Sequence, residues 1–113
     1  MSESLNVHAG MVIWKYQIPI REQFVYVEMP EGSIILPSTL QLQEGVPTFW
    51  ALVDPKKPKV QRTFFIMGTG REFPEGGTFD YVGTIQMVRK YDDGHGRWDE
   101  ITYVWHLFER VPR

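Results

Sequence analysis

"TFDYVGTIQMVRKY" (78–91), "DDGHG" (92–96) and "RWDEITYVWHLFER" (97–110) follow one another without a break, and their reading decides the fold. In the first stretch Phe79, Tyr81, Ile85 and Met87 recur on one face, with Gly83 between them. In the last, Ile101, Tyr103, Trp105 and Leu107 do the same. Successive side chains of a strand point to opposite faces, so a period of two predicts strands. The Asp-Gly between them is a hairpin signal.

The same period extends toward the N-terminus. In "VIWKYQI" (12–18), Val12, Trp14, Tyr16 and Ile18 share a face opposite Lys15 and Gln17, and Pro19 closes the strand. "EQFVYVEM" (22–29) is β-branched and aromatic, and "MPEG" (29–32) is a turn. "SIILPSTLQLQ" (33–43) is extended, with a bend or bulge predicted at Pro37. Glu44-Gly45 reads as a two-residue hairpin loop in which glycine supplies a positive φ. "TFWALVD" (48–54) is apolar on both faces, which predicts a central strand covered on both sides. "DPKKPK" (54–59) is an exposed turn and "VQRTFFIM" (60–67) the next strand.

About seven closely spaced strands predict an all-β protein, a small single-domain antiparallel sandwich or partly open barrel. No stretch shows a clean helical period. The 113 residues suit one domain. Residues 1–10 read as a flexible leader and 11–113 as a single β domain.

Hydrophobic residues make up 42% and charged residues 23%, an ordinary soluble composition. The net charge is −2 and the 12 Lys and Arg are scattered, so duplex nucleic acid is not an expected partner. The chain has no cysteine, which removes disulfides and thiol catalysis. No apolar stretch approaches the roughly 20 residues of a membrane-spanning helix, and "MSESLNVHAG" lacks the pattern of a signal peptide. The expectation is a soluble cytoplasmic protein that does not engage a membrane.

Gly68-Thr69-Gly70 is the first candidate site. A phosphate-binding glycine loop directs several backbone N–H groups at oxygens from a helix N-terminus. Here the third glycine of such a loop would fall at Phe73, no helix follows, and no Lys-Ser/Thr pair is present. A bend or bulge at a strand end is the simpler account, leaving Thr69 and Arg71 as rim residues of an anion or ligand pocket. Arg62 sits in an apolar strand row, where a charge needs a carboxylate such as Asp54 or a ligand's anionic group. Trp50 and Trp98 are the tryptophans expected to protrude. Trp50 joins the ligand-binding candidates; Trp98, Tyr91 and His95, at or beside the 92–96 loop, form a candidate partner surface. His106 alternates with Val104 and Phe108 as a packed, hydrogen-bonded histidine would. The three histidines lack metal-ligand spacing, and the acids at Asp92-Asp93 and Asp99-Glu100 read as turn residues, so no metal, cofactor or catalytic group is expected.

The series "IWKYQIP", "VEMPEGSIIL", "GVPTFWALVDP", "RTFFIMGTG", "YVGTIQM" and "VWHLFE" resembles a family of short, uncharacterised proteins of tailed bacteriophages and prophages. The likeness covers roughly residues 12–109 and departs in the polar leader and in an extended hairpin at 89–102. It assigns no activity or binding residue to any position. Together with the absence of a catalytic constellation and of a signal segment, the phage resemblance leads to the expectation of a non-enzymatic phage accessory protein acting in the host cytoplasm. Counter-defence is the leading expectation, by capture of a host signalling nucleotide or occlusion of a host protein, and the chain is expected to be a homo-oligomer. A small nucleotide-processing enzyme and a virion or assembly component are the alternatives.

Overall fold

A computed structural model describes residues 4–112; Met1 to Glu3 of the leader, and Arg113, lie outside the described residues. It contains eight strands: β1 (Val12–Gln17), β2 (Val25–Pro30), β3 (Ile34–Ile35), β4 (Gln41–Gln43), β5 (Val46–Val53), β6 (Lys59–Gly68), β7 (Phe79–Asp92) and β8 (Trp98–Arg110). They form two antiparallel sheets. One has the order β1-β5-β3 with β4 also paired to β5; the other is β2-β6-β8-β7. Neither closes on itself, so the fold is an all-β sandwich and not a barrel. The eighth strand arises at Pro37, which splits 33–43 into the short β3 and β4 instead of merely bending one strand. Among the described residues, no helix is long and apolar enough to cross a membrane.

The core lies where the inner faces meet. Phe49, Ala51 and Val53 of β5 face Phe64 and Ile66 of β6, with Val25, Met29, Ile85 and Leu107 completing the layer and Ile18 closing one end. Phe49 and Phe64 are fully buried with ring centroids 5.3 Å apart. Burying each ring contributes roughly 1.5–3 kcal/mol. β5 is buried along most of both faces, as its two-sided apolar sequence requires.

The 16 aromatics are not all core, and much of the surplus forms a second layer on the outer face of the β6 sheet. Phe24 packs on Phe65 and Phe79, Phe73 packs on Phe79 and Phe108, and Tyr81 packs on Phe108. The segment after Gly70 folds back as a strap that seats Phe73, and an Arg110–Glu75 ion pair holds it down.

A bulge between Tyr81 and Gly83 corrects the face expected for β7. One extra residue in a strand reverses which face the following side chains occupy. Phe79 and Tyr81 therefore lie on the outer layer, whereas Ile85 is in the core. Gly83 pairs with Leu107, and a Cβ there would come within 2.9 Å of Leu40 Cβ.

The Glu44-Gly45 hairpin is present, and both residues have positive φ, 51° and 79°. That is the geometry for which Asn-Gly is preferred. Glu44→Asn is expected to stabilise the protein by a few tenths of a kcal/mol, visible as a small rise in Tm, because asparagine tolerates this conformation better than glutamate. An unchanged or lower Tm would show that Glu44 makes a compensating contact.

β7 and β8 outlast the strands of the facing sheet. Beyond Val88 and before Thr102 the hairpin is exposed on both faces and projects as an arm. The molecule accordingly measures 59 × 31 × 29 Å, with a radius of gyration of 16.8 Å. A compact chain of this length would have a radius of gyration of about 13 Å.

Candidate functional site

Where the arm leaves the body, the inner face of β8 loses its cover. Leu107 is fully buried, but Trp105 is half-buried and Tyr103 exposed. Their rings stack with centroids 6.3 Å apart and an interplanar angle of 15°. This pair lines an open groove of about 1000 Å³ whose other walls include Ile20, Arg21, Met67 and Gly68 to Arg71. On its other side the pair lines a smaller groove of about 360 Å³ with Pro19, Met87 and Arg89.

The glycine segment is explained by this arrangement. Gly68 pairs with Trp105 across the β6–β8 ladder. A Cβ at Gly68 would lie 3.5 Å from the Trp105 ring and 3.8 Å from Arg71 Cγ, so indole and arginine stem flank one slot over the backbone. Gly70, with φ 87°, makes the turn. The Thr69 N–H donates to the Val104 carbonyl and the Arg71 N–H to the Gly68 carbonyl. Two of the three N–H groups of a phosphate cradle are thus used inside the chain, and the segment acts as a groove wall.

Polar chemistry in the groove comes from side chains. Arg71 is highly exposed, with Glu22 3.9 Å away, too loose to hold it. Arg21 lines the same wall. Trp105 Nε1 is buried with no hydrogen-bond partner among the described residues. A buried N–H without an acceptor costs roughly 1–3 kcal/mol, so this indole is held in place against a local penalty.

The other candidates lie elsewhere. Arg62 is on the inner face of β6 at the opposite end of the sandwich. It donates from Nε and Nη2 to both carboxylate oxygens of Glu109, and from Nη1 to the Ser33 carbonyl. Its partner is therefore Glu109 and not Asp54, which faces His8. Tyr16 lies near this guanidinium. Burial raises its hydroxyl pKa, and the Arg62 charge opposes the rise. Trp50, expected to protrude, is instead half-buried on the outer face of β5, and its backbone N–H donates to Thr39 Oγ1. Trp98, Tyr91 and His95 are all on the arm, but the pairs Tyr91–Asp99 and Asp92–Trp98 put Tyr91 and Trp98 on opposite faces of it, so they form no single patch. Trp98 is 73% exposed and Tyr91 donates to Asp99. Asp92 and Asp93 accept backbone N–H groups of the tip, which makes them turn-formers. His106 bonds through both ring nitrogens, to Thr69 and Thr84 hydroxyls, as a packed histidine should. No group of three metal-capable side chains occurs among the described residues.

Tyr103, Trp105 and Arg21 are the site residues the sequence reading passed over. The first two looked like an ordinary core row. The signal that separates them is length: β8 runs 13 residues and β7 14, against six for β1 and eight for β5. The short sheet cannot cover the far inner face of the long hairpin.

The chain belongs to the family described as "Domain of unknown function (DUF7352)", whose family model matches residues 10–113. No curated protein and no solved structure matches it.

Proposed function

We propose that the protein acts by binding, without catalysis, and that its groove takes a nucleotide. The observation that carries this reading is the stacked Tyr103–Trp105 pair beside Arg71 and Arg21 in one groove. A nucleobase has a π-face for the aromatic pair, worth about 1–3 kcal/mol per base. Its phosphate suits the arginines. The wider setting we propose is a phage protein in the host cytoplasm that sequesters a host signalling nucleotide and works as a homo-oligomer. The resemblance supports the phage origin alone, and the rest is argued from the groove and the open strand edges.

Purified protein mixed with cyclic and linear nucleotides tests this. A binding nucleotide at 100 times its Kd should stabilise the fold by about 2.7 kcal/mol and be recovered intact after denaturation. Arg71→Ala, at an exposed position, should weaken binding at least several-fold and leave the Tm of the free protein unchanged. No stabilisation by any nucleotide refutes the reading, and recovery of an altered ligand favours a nucleotide-processing enzyme.

A second reading, occlusion of a host protein, is favoured by the projecting arm with Trp98 and Tyr91 at its end. Exposed aromatics of this kind are frequent binding anchors. Trp98→Ser would then abolish host-protein capture while leaving nucleotide binding intact. A role in the virion or its assembly would instead place the protein in purified particles.

A further inference from the structure

We infer that β1 is the contact edge of a symmetric dimer, in which the β1 strands of two copies pair antiparallel about a two-fold axis through Trp14. The inference supplies the interface for the oligomer proposed above and is independent of the ligand groove.

The Ile18 N–H donates to the Pro47 carbonyl, one step beyond the Gln17–Thr48 pair of the β1–β5 ladder. Backbone groups alternate in direction along a strand, so even-numbered β1 residues turn toward β5. Ile13, Lys15 and Gln17 therefore turn their N–H and C=O groups outward, and none has a backbone partner among the described residues. The strand between Val12 and Gln17 has no proline, no bulge and a single charge, Lys15. Such an edge is open to pairing. The other edges are defended: β7 by its bulge and charges, the arm stretch of β8 beyond β6 by Asp99 and Glu100, β2 by Glu28 and a terminal Pro30, and β3 and β4 by their shortness.

Side-chain exposure points the same way. The inward side chains at both ends of β2, Val25 and Met29, are already buried, whereas Val12 and Trp14, on the inward face of β1, are 40% and 37% exposed. An added strand beside β1 would cover them. The occupant is set by self-complementarity. With the axis at Trp14, Ile13 meets Lys15 of the second copy, and Val12 meets Tyr16. The two Trp14 rings meet at a non-hydrogen-bonded pair, where side chains approach most closely. The outward groups of Ile13 and Lys15 then satisfy one another. Shifting the axis to Lys15 opposes two like charges, and shifting it to Ile13 shortens the paired length. The contact uses the same patch on both copies, so it closes at two.

Sedimentation analysis without ligand, over a range of concentrations, should give a species of twice the 13.3 kDa chain mass. Lys15→Pro removes an outward N–H at a position where an edge strand tolerates proline, and should give a monomer with an unchanged circular dichroism spectrum. Trp98→Ser should leave the mass doubled. The chain has no cysteine of its own. Oxidised Trp14→Cys should therefore cross-link to a covalent dimer, and Ile13→Cys, which faces Lys15, should not. If Lys15→Pro fails to fold, the cysteine pair decides. A wild-type monomer at every concentration, or equal cross-linking of the two cysteine variants, overturns the inference. Neither result bears on nucleotide binding.

Discussion

Arg62→Met is expected to lower the unfolding free energy by about 3 kcal/mol, near the bottom of the range for a broken buried ion pair. The guanidinium holds both oxygens of Glu109 and the Ser33 carbonyl, tying β6, β8 and the turn before β3 together. The two side chains are 21% and 13% exposed, so water compensates only partly for its loss. Removing the cation leaves a carboxylate and a carbonyl without their donors. Chemical denaturation measures the loss, and the double variant Arg62→Met, Glu109→Leu should recover much of it, because the unpaired charge is then gone. The alternative role, an arginine that holds a ligand's anionic group, gives the opposite pattern. Stability would be unchanged and nucleotide binding would fall.

Gly83→Ala is expected to cost about 1–3 kcal/mol, the usual range for overpacking a filled site. The added methyl would stand 2.9 Å from Leu40 Cβ and 3.0 Å from its Cδ2. The first of these atoms is fixed to the backbone, so rotating the leucine does not relieve the contact. Leu40 belongs to the segment that carries the chain between β3 and β4, and its close seat on β7 joins the two sheets at this point. A drop in Tm of several degrees should accompany the loss. Leu40→Ala in the same chain should remove part of the penalty, so the two substitutions should be clearly non-additive. Equal costs in the two backgrounds would mean that the Leu40 Cβ, which alanine keeps, or the bulge itself rejects the methyl, and not the outer carbons of the leucine.

These two residues also mark how far the sequence was legible. The period of two identified the major strands, and the Glu44-Gly45 and Asp-Gly turns placed their hairpins, because these signals are local. The inner and outer faces of β7 were not legible. An alternating pattern reads straight through a bulge, and only the pairing of Gly83 with Leu107 shows the slip. Arg62 announced its need for a carboxylate, but its partner lies 47 residues away. Nothing local distinguishes Glu109 from Asp54. Gly68 and Arg71 were legible as a loop rim. Their counterpart Trp105 was not, since a half-covered face and a core face have the same alternation. Of the two tryptophans expected to protrude, Trp98 does and Trp50 is half-buried, and many of the other aromatics form the outer layer around Phe65 and Phe108.

The central claim is that the groove beside Trp105 takes a nucleotide. The chain has four tryptophans, so the ¹⁵N-labelled protein should show four indole N–H resonances by nuclear magnetic resonance. Their environments differ: Trp105 is in the groove, Trp98 at the arm tip, Trp14 on the β1 edge and Trp50 on the outer face of β5. Titration with the nucleotide that most raises Tm should shift the Trp105 resonance and leave the other three in place. A shift confined to Trp98, or none at Trp105 at saturating nucleotide, would contradict the account.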